Sequence, residues 1–205
     1  MRISALVSTV FFAATTGVST MQAQDLGGAV VPVYSKMVGE SLPLLMTATA
    51  VLMEARGSKD EAAALRAQAE DMKKGVSKPD KDLLERSMKA TSESNNKFVA
   101  SLGGEAKALT AEQRTMFVAG AVAYFAAVKS SREVAQMLPP VTTAIADVTK
   151  KGPLAIARAG KDLVLAKAVA QGIPELIKGN VQAAEALKNY IVANKIPVDA
   201  SAIVF

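Results

Sequence analysis

Residues Met116–Val128 read MFVAGAVAYFAAV, thirteen consecutive positions without a charge or a strongly polar group. Directly ahead of them, Thr110-Ala111-Glu112-Gln113 has the form of a capping box, in which the first and last side chains satisfy each other's free backbone N–H groups at a helix start. The stretch reads as a helix that is apolar on every side, and such a helix belongs at the centre of a bundle. Thirteen residues at about 1.5 Å rise reach only about 20 Å, short of a bilayer's hydrocarbon core.

Outward from this stretch the chain supplies further helices. Its 38 Ala lie among Leu, Glu, Lys and Met, the strongest helix formers, and strand-like alternation is nearly absent. Leu26 to Arg56 is apolar and stops at Gly57, with Pro32 and Pro43 expected to break or kink it. Ser58 to Glu61 has the form of a second capping box, ahead of the stripe Ala62, Leu65, Ala69, Met72. Pro79 and Asp80 open a helix carrying Leu84, Met88, Thr91, Asn95, Phe98 and Leu102 on one face. Pro139 and Pro140 end the Met116 helix, a shorter one follows to Lys150 and Lys151, and Gly152 with Pro153 starts the next. Gly172 and Pro174 are expected to break that helix, leaving a last one with Val181, Ala184, Leu187 and Ile191. With no linker longer than about six residues, residues 24–205 read as one all-α domain of six or seven helices.

Compartment is read from the first two dozen residues. Arg2 precedes an apolar core at Leu6, Val7, Val10, Phe11, Phe12, Ala13 and Ala14, and Ala23 is the best cleavage position, so residues 1–23 read as a cleaved secretory signal peptide. The segment carries too many Ser and Thr for a membrane anchor, so no transmembrane segment is expected in the mature chain. Loss of Arg2 leaves 23 basic against 19 acidic residues, a net charge of +4. An exported chain without cysteine, long enough to hold itself by a core, fits the bacterial periplasm, with secretion as the alternative.

The chain contains no Cys, His or Trp. That excludes disulfides, thiolate nucleophiles, Cys or His zinc sites, haem-ligating histidine and a Ser-His-Asp triad. The acids fall largely into i, i+4 pairs with bases, such as Asp82 with Arg86, Glu70 with Lys74, Glu85 with Lys89, Glu93 with Lys97 and Lys129 with Glu133. This is the pattern of a solvated helix face. A Ser-Lys dyad around Lys129, Ser130, Ser131 or Lys161 has no fitting context. The methionines lack the close spacing of a Cu(I) site and read as core filler. No cofactor or metal is expected, and an enzyme working through carboxylates or a lysine is the most remote reading.

Binding is the reading that remains. The two most apolar stretches, 41–53 and 116–128, set Phe117, Tyr124 and Phe125 among many Ala and Gly. The pattern admits either a tight core or an apolar pocket for a lipid or other hydrophobic small molecule, and Asn95 is either a buried polar residue that fixes the packing or the polar contact of such a pocket. The tail 198–205 is apolar at its end, and Ile203, Val204 and Phe205 either fold back on the bundle or dock on an envelope protein. Lys150, Lys151, Arg158, Lys161 and Lys167 are answered only by Asp147 and Asp162, a candidate contact for an anionic surface. Nucleic acid is not expected, since no aromatic residues interleave with the bases. The chain therefore reads as an exported, non-enzymatic binding protein of the bacterial envelope, with a structural or stress-related interaction protein using the tail as the alternative.

Overall fold

A computed structural model describes residues 26–103, 109–203 and 205, so the expected signal peptide 1–23 lies outside the described residues. Among the described residues the chain is helical and has no strand. The elements are α1 (Leu26–Lys36), a π turn (Met37–Ser41), α2 (Leu42–Ala55), α3 (Lys59–Lys74), α4 (Lys81–Leu102), α5 (Ala111–Gln136), α6 (Leu138–Lys150), α7 (Pro153–Ala193) and a 3₁₀ turn (Ala200–Ile203). Their buried side chains form one contiguous core.

The two N-terminal prolines do not break the chain into separate helices. Pro43 has no N–H to offer the carbonyl of Gly39, and the preceding turn widens so that the Leu42 N–H donates to the Met37 carbonyl. Pro32 sits on the exposed side of α1, where water can take the freed carbonyl. Leu26–Ala55 is thus one rod, long and apolar enough by composition to cross a membrane, yet 67% of its most apolar window is buried inside the bundle.

The middle of this rod, not α5, is the most enclosed helix. In α2 Leu42, Leu45, Met46, Ala50 and Leu52 are wholly buried, with α3, α4 and α5 packed around them. α5 instead buries Phe117, Ala121, Tyr124, Phe125 and Val128 and exposes Met116, Ala119, Val122, Ala123 and Ala126. The outward positions are mostly Ala, which expose little apolar area, so a wall position is tolerable despite the charge-free sequence. α5 meets α2 closely because Gly120 has no side chain: a Cβ there would lie 3.0 Å from Leu52 Cγ and 3.0 Å from Val51 Cγ1.

The helix starts divide cleanly. Thr110 Oγ1 accepts the Gln113 N–H at 3.2 Å and Gln113 Oε1 accepts the Thr110 N–H at 3.0 Å, the reciprocal box expected from the sequence. Asp80 accepts from the Asp82 and Leu83 N–H groups and caps α4. Ser58 makes no side-chain cap. Its backbone is committed elsewhere, since the Ser58 N–H closes on the Met53 carbonyl at 2.9 Å and the Gly57 N–H on that of Glu54 at 2.9 Å, with Gly57 at φ 92°. That pair of bonds is a Schellman ending for α2.

The partition differs from the expected one at the C-terminal end. α7 runs unbroken through Gly172 and Pro174, which faces solvent as Pro32 does. The break falls at Gly160, with φ 42° and ψ −116°. This backbone is open to glycine and costly to any residue with a Cβ.

These two glycines predict opposite local faults. Gly120→Val should lower stability by about 1–3 kcal/mol in urea unfolding, through overpacking of the α2–α5 contact. Gly160→Ala, which adds no clash, should cost about 1–2 kcal/mol through backbone conformation alone.

Candidate functional site

The stripe on α4 expected from the sequence is buried at Leu84, Thr91, Asn95, Phe98 and Leu102, whereas Met88 is only half-buried and Ser87 and Ser94 join the inner face. Two of its polar groups satisfy themselves within the helix, Thr91 Oγ1 donating to the Ser87 carbonyl at 2.9 Å and Ser94 Oγ to that of Ala90 at 2.6 Å. Asn95 instead bonds across helices. Tyr124 of α5 donates its hydroxyl to Asn95 Oδ1 at 3.0 Å, and Asn95 Nδ2 donates to Asn180 Oδ1 of α7 at 2.8 Å. All three residues are buried.

The chain of donors leaves one group over. Asn95 Oδ1 takes the Tyr124 proton and its Nδ2 donates onward, so Asn180 presents its oxygen to Asn95 and its Nδ2 is left over. That Nδ2 is buried and has no partner among the described residues. Asn180 and Asn95 lie at the bottom of a cleft of about 260 Å³ between α4 and α7, with Met88 and Leu176 beside them and Lys89 and Glu175 at its charged rim. Across the cleft α7 carries glycine: a Cβ at Gly172 would meet Met88 Cε at 2.6 Å, whereas one at Gly179 would meet nothing.

Of the candidate ligand-binding residues, Asn95 and Tyr124 are joined directly, while Phe117 and Phe125 are held elsewhere. Phe98 tilts on Tyr124 with ring centroids 5.8 Å apart. Phe117 packs on Tyr190 at 5.5 Å, and the Arg56 guanidinium lies 5.1 Å from the centre of that second ring and donates to its hydroxyl at 2.7 Å. Arg56 also donates to the Ser101 carbonyl, tying α2 to the ends of α4 and α7. Phe125 stacks face to face with Phe205 at 5.3 Å and 4° between planes. The tail is therefore folded back, with Ile203 and Phe205 half-buried against the core. Val204 lies outside the described residues.

The charged residues form the solvated face expected of them, with several partners exchanged. Glu70 meets Lys73 at 2.6 Å, Glu85 meets Lys81 at 2.8 Å, and Glu133 meets Lys36 of α1 at 3.2 Å. Arg66 pairs with Glu54 across α2 and α3. Long exposed side chains choose among neighbours three and four residues away at little cost, and such pairs contribute little. The hydroxyls near Lys129 are engaged with other groups: Ser130 meets Ser41 at 3.0 Å, and Ser131 donates to the Ala127 carbonyl at 3.0 Å. Among the described residues no group of three carboxylates converges as a metal site. Burial raises the Tyr124 and Tyr34 hydroxyls above the ordinary tyrosine range, and the Ser201 hydrogen bonds hold the Asp199 carboxyl below its ordinary range.

Asn180 is the residue that the sequence reading missed. It lies four residues after Leu176, seven after Ile173 and four before Ala184, in register with the buried face of α7. The register is readable from Ala184, Leu187 and Ile191, but Val181 beside Asn180, only half-buried, draws the face one position away. Comparison with protein-family profiles, curated proteins and solved structures finds no match for this chain.

Tyr124→Phe should cost about 1–3 kcal/mol by leaving Asn95 Oδ1 unpaired. A double-mutant cycle with Asn95→Leu should return a coupling of at least about 0.5 kcal/mol in urea unfolding. The raised Tyr124 group also has a pH signature. A hydroxyl that resists ionising in the fold contributes full stability below the unfolded pKa of about 10 and loses it as pH rises through the folded value. The alkaline decline of stability should be shallower in Tyr124→Phe than in the parent.

Proposed function

We propose that this chain is an exported, non-enzymatic binding protein of the bacterial envelope, periplasmic or secreted, that takes a small molecule in the cleft between α4 and α7. The observation that carries the reading is the buried Asn180 Nδ2, which has no partner and belongs to a residue of that cleft. A buried donor left unpaired costs about 1–3 kcal/mol, and a ligand oxygen would recover that cost. The same cleft has Met88 and Leu176 for an apolar portion and Lys89 at its rim for a carboxylate. The chemistry that fits is a small molecule with a carbonyl or carboxylate oxygen at one end and a short apolar body, narrower than the lipid or hydrophobic ligand expected from composition. Tyr124 and Asn95 act here as positioning residues, since their hydrogen bonds engage Asn180 Oδ1 and leave its Nδ2 without a partner among the described residues. Phe117 and Phe125 are core residues in this reading.

A second reading rests on the tail. Phe205 covers Phe125 with a stacked ring while Ile203 and Phe205 stay half-exposed, so a partner that displaced them would gain an apolar surface on α5. This is the structural or stress-related interaction protein of the sequence analysis.

Native mass spectrometry of the protein purified gently from its own cells, followed by denaturing extraction, separates the two. A one-to-one adduct of the stated chemistry is expected, and it should be lost in Gly179→Leu, which fills the cleft and leaves the Tyr124–Asn95–Asn180 chain intact. An adduct that survives this variant, or an empty parent protein, counts against the cleft. In the empty case, partner capture that disappears on deletion of 198–205 would support the tail instead.

A further inference from the structure

The elbow between α6 and α7 is built unlike the rest of the bundle. α6 ends at Lys150, Gly152 turns the chain at φ 89°, and Pro153 starts a short helical arm that is cut off from the long part of α7 by the Gly160 break. On this arm Leu154 is 65% exposed, Ile156 is 39% exposed, and Ala157 and Arg158 also face solvent. Few other large apolar side chains in the described residues stand so far out as Leu154, and this one is set at the point of a turn.

Cations surround it. Lys150, Lys151, Arg158 and Lys161 are all exposed, and none pairs with a carboxylate among the described residues, although lysines elsewhere on the bundle do so. Asp147, half-buried, and Asp162, exposed, are the acids of this stretch, which leaves two positive charges in excess. The neighbouring loop before α4 borders Gly160 and Lys161 and brings Lys78 and Lys81 with Asp80 and Asp82, so it adds no net negative charge.

We propose that the α6–α7 elbow is a docking surface for anionic lipid bilayers, with Leu154 entering the headgroup region and Lys150, Lys151, Arg158 and Lys161 meeting lipid phosphates around it. An exposed apolar tip ringed by unpaired cations is complementary to an interface that is apolar beneath and negative above. A soluble acidic protein would match the cations and leave Leu154 without a use. The short arm is too small to span a membrane, so the contact is peripheral and reversible. This docking is independent of the cleft between α4 and α7.

Co-sedimentation with vesicles tests it, using the protein as recovered from its expressing cells, with parent and variants compared at the same N-terminal mass. The parent should pellet with phosphatidylglycerol–phosphatidylethanolamine vesicles, should not pellet with phosphatidylcholine alone, and should be released by salt. Replacing Lys150, Lys151 and Arg158 by Gln should lower partitioning by about a hundredfold, at about fivefold per cation. Leu154→Ser, with charge unchanged, should lower it roughly tenfold. Lys178→Gln on the far part of α7 should leave it unchanged. Far-UV circular dichroism should be the same for all, because every substituted side chain is exposed. The proposal is overturned if the parent ignores anionic vesicles, or if Leu154→Ser binds as the parent does. The latter result, with the charge variant impaired, would mark an acidic macromolecule as the partner.

Discussion

A hydroxyl and two amides buried between helices have to find one another, and that requirement holds α4, α5 and α7 in register. Several polar side chains inside this bundle make no such demand. Thr49, Thr91, Ser94 and Ser131 each return their proton to a carbonyl of their own helix, so they can be buried at any rotation of that helix. Tyr124, Asn95 and Asn180 bond across helices instead, and turning any one of the three helices by a single residue would break at least one of these bonds. Apolar packing alone would tolerate several rotations of helices so rich in alanine. The polar chain selects one of them.

The rest of the architecture follows from how closely the helices approach. Glycine at 120 lets α5 settle on Val51 and Leu52, and this contact brings Tyr124 within reach of Asn95 one turn further on. α2 can occupy the most enclosed place because its own proline is accommodated by the π turn ahead of it rather than by a kink. The apolar α2 then serves three neighbours at once. Arg56, at the end of that rod, reaches two other helix ends and locks the arrangement at one pole.

Local rules expressed in side chains were legible from the chain, and rules expressed in the backbone were not. The box at Thr110 and the cap at Asp80 depend on residues within three positions of each other, and both hold. The box at Ser58 fails because its backbone closes the previous helix, a commitment visible only once the end of α2 is known. Pro174 and Gly160 carry contrasting lessons. Proline on a solvent-facing side loses one hydrogen bond that water replaces, so its breaking signal is conditional on a face that the sequence does not mark. Gly160 sits among Ala and Lys with no turn dipeptide to announce it, and its unusual backbone is a property of the packed chain. The site was half legible for the same reason. Asn95 stood out as a polar residue on an apolar stripe, and Tyr124 came with it, but Asn180 was passed over because the last helix was read with the apolar Val181 on its inner face.

The pairing of α1 has a consequence for the order in which the molecule assembles. Its packing partners besides the adjoining π turn are α6 and α7, which come late in the chain, whereas α2 finds α3 at once. A chain that emerges from its N-terminus can close the α2–α3 hairpin early but must leave Val30, Val33 and Tyr34 uncovered until α6 and α7 have been delivered. Loop closure over such a separation is the slow step for a helical protein that otherwise folds by local contacts. For most of its synthesis, the segment just after the predicted leader is thus an apolar helix without a partner, a state in which a growing chain depends on something else to shield it.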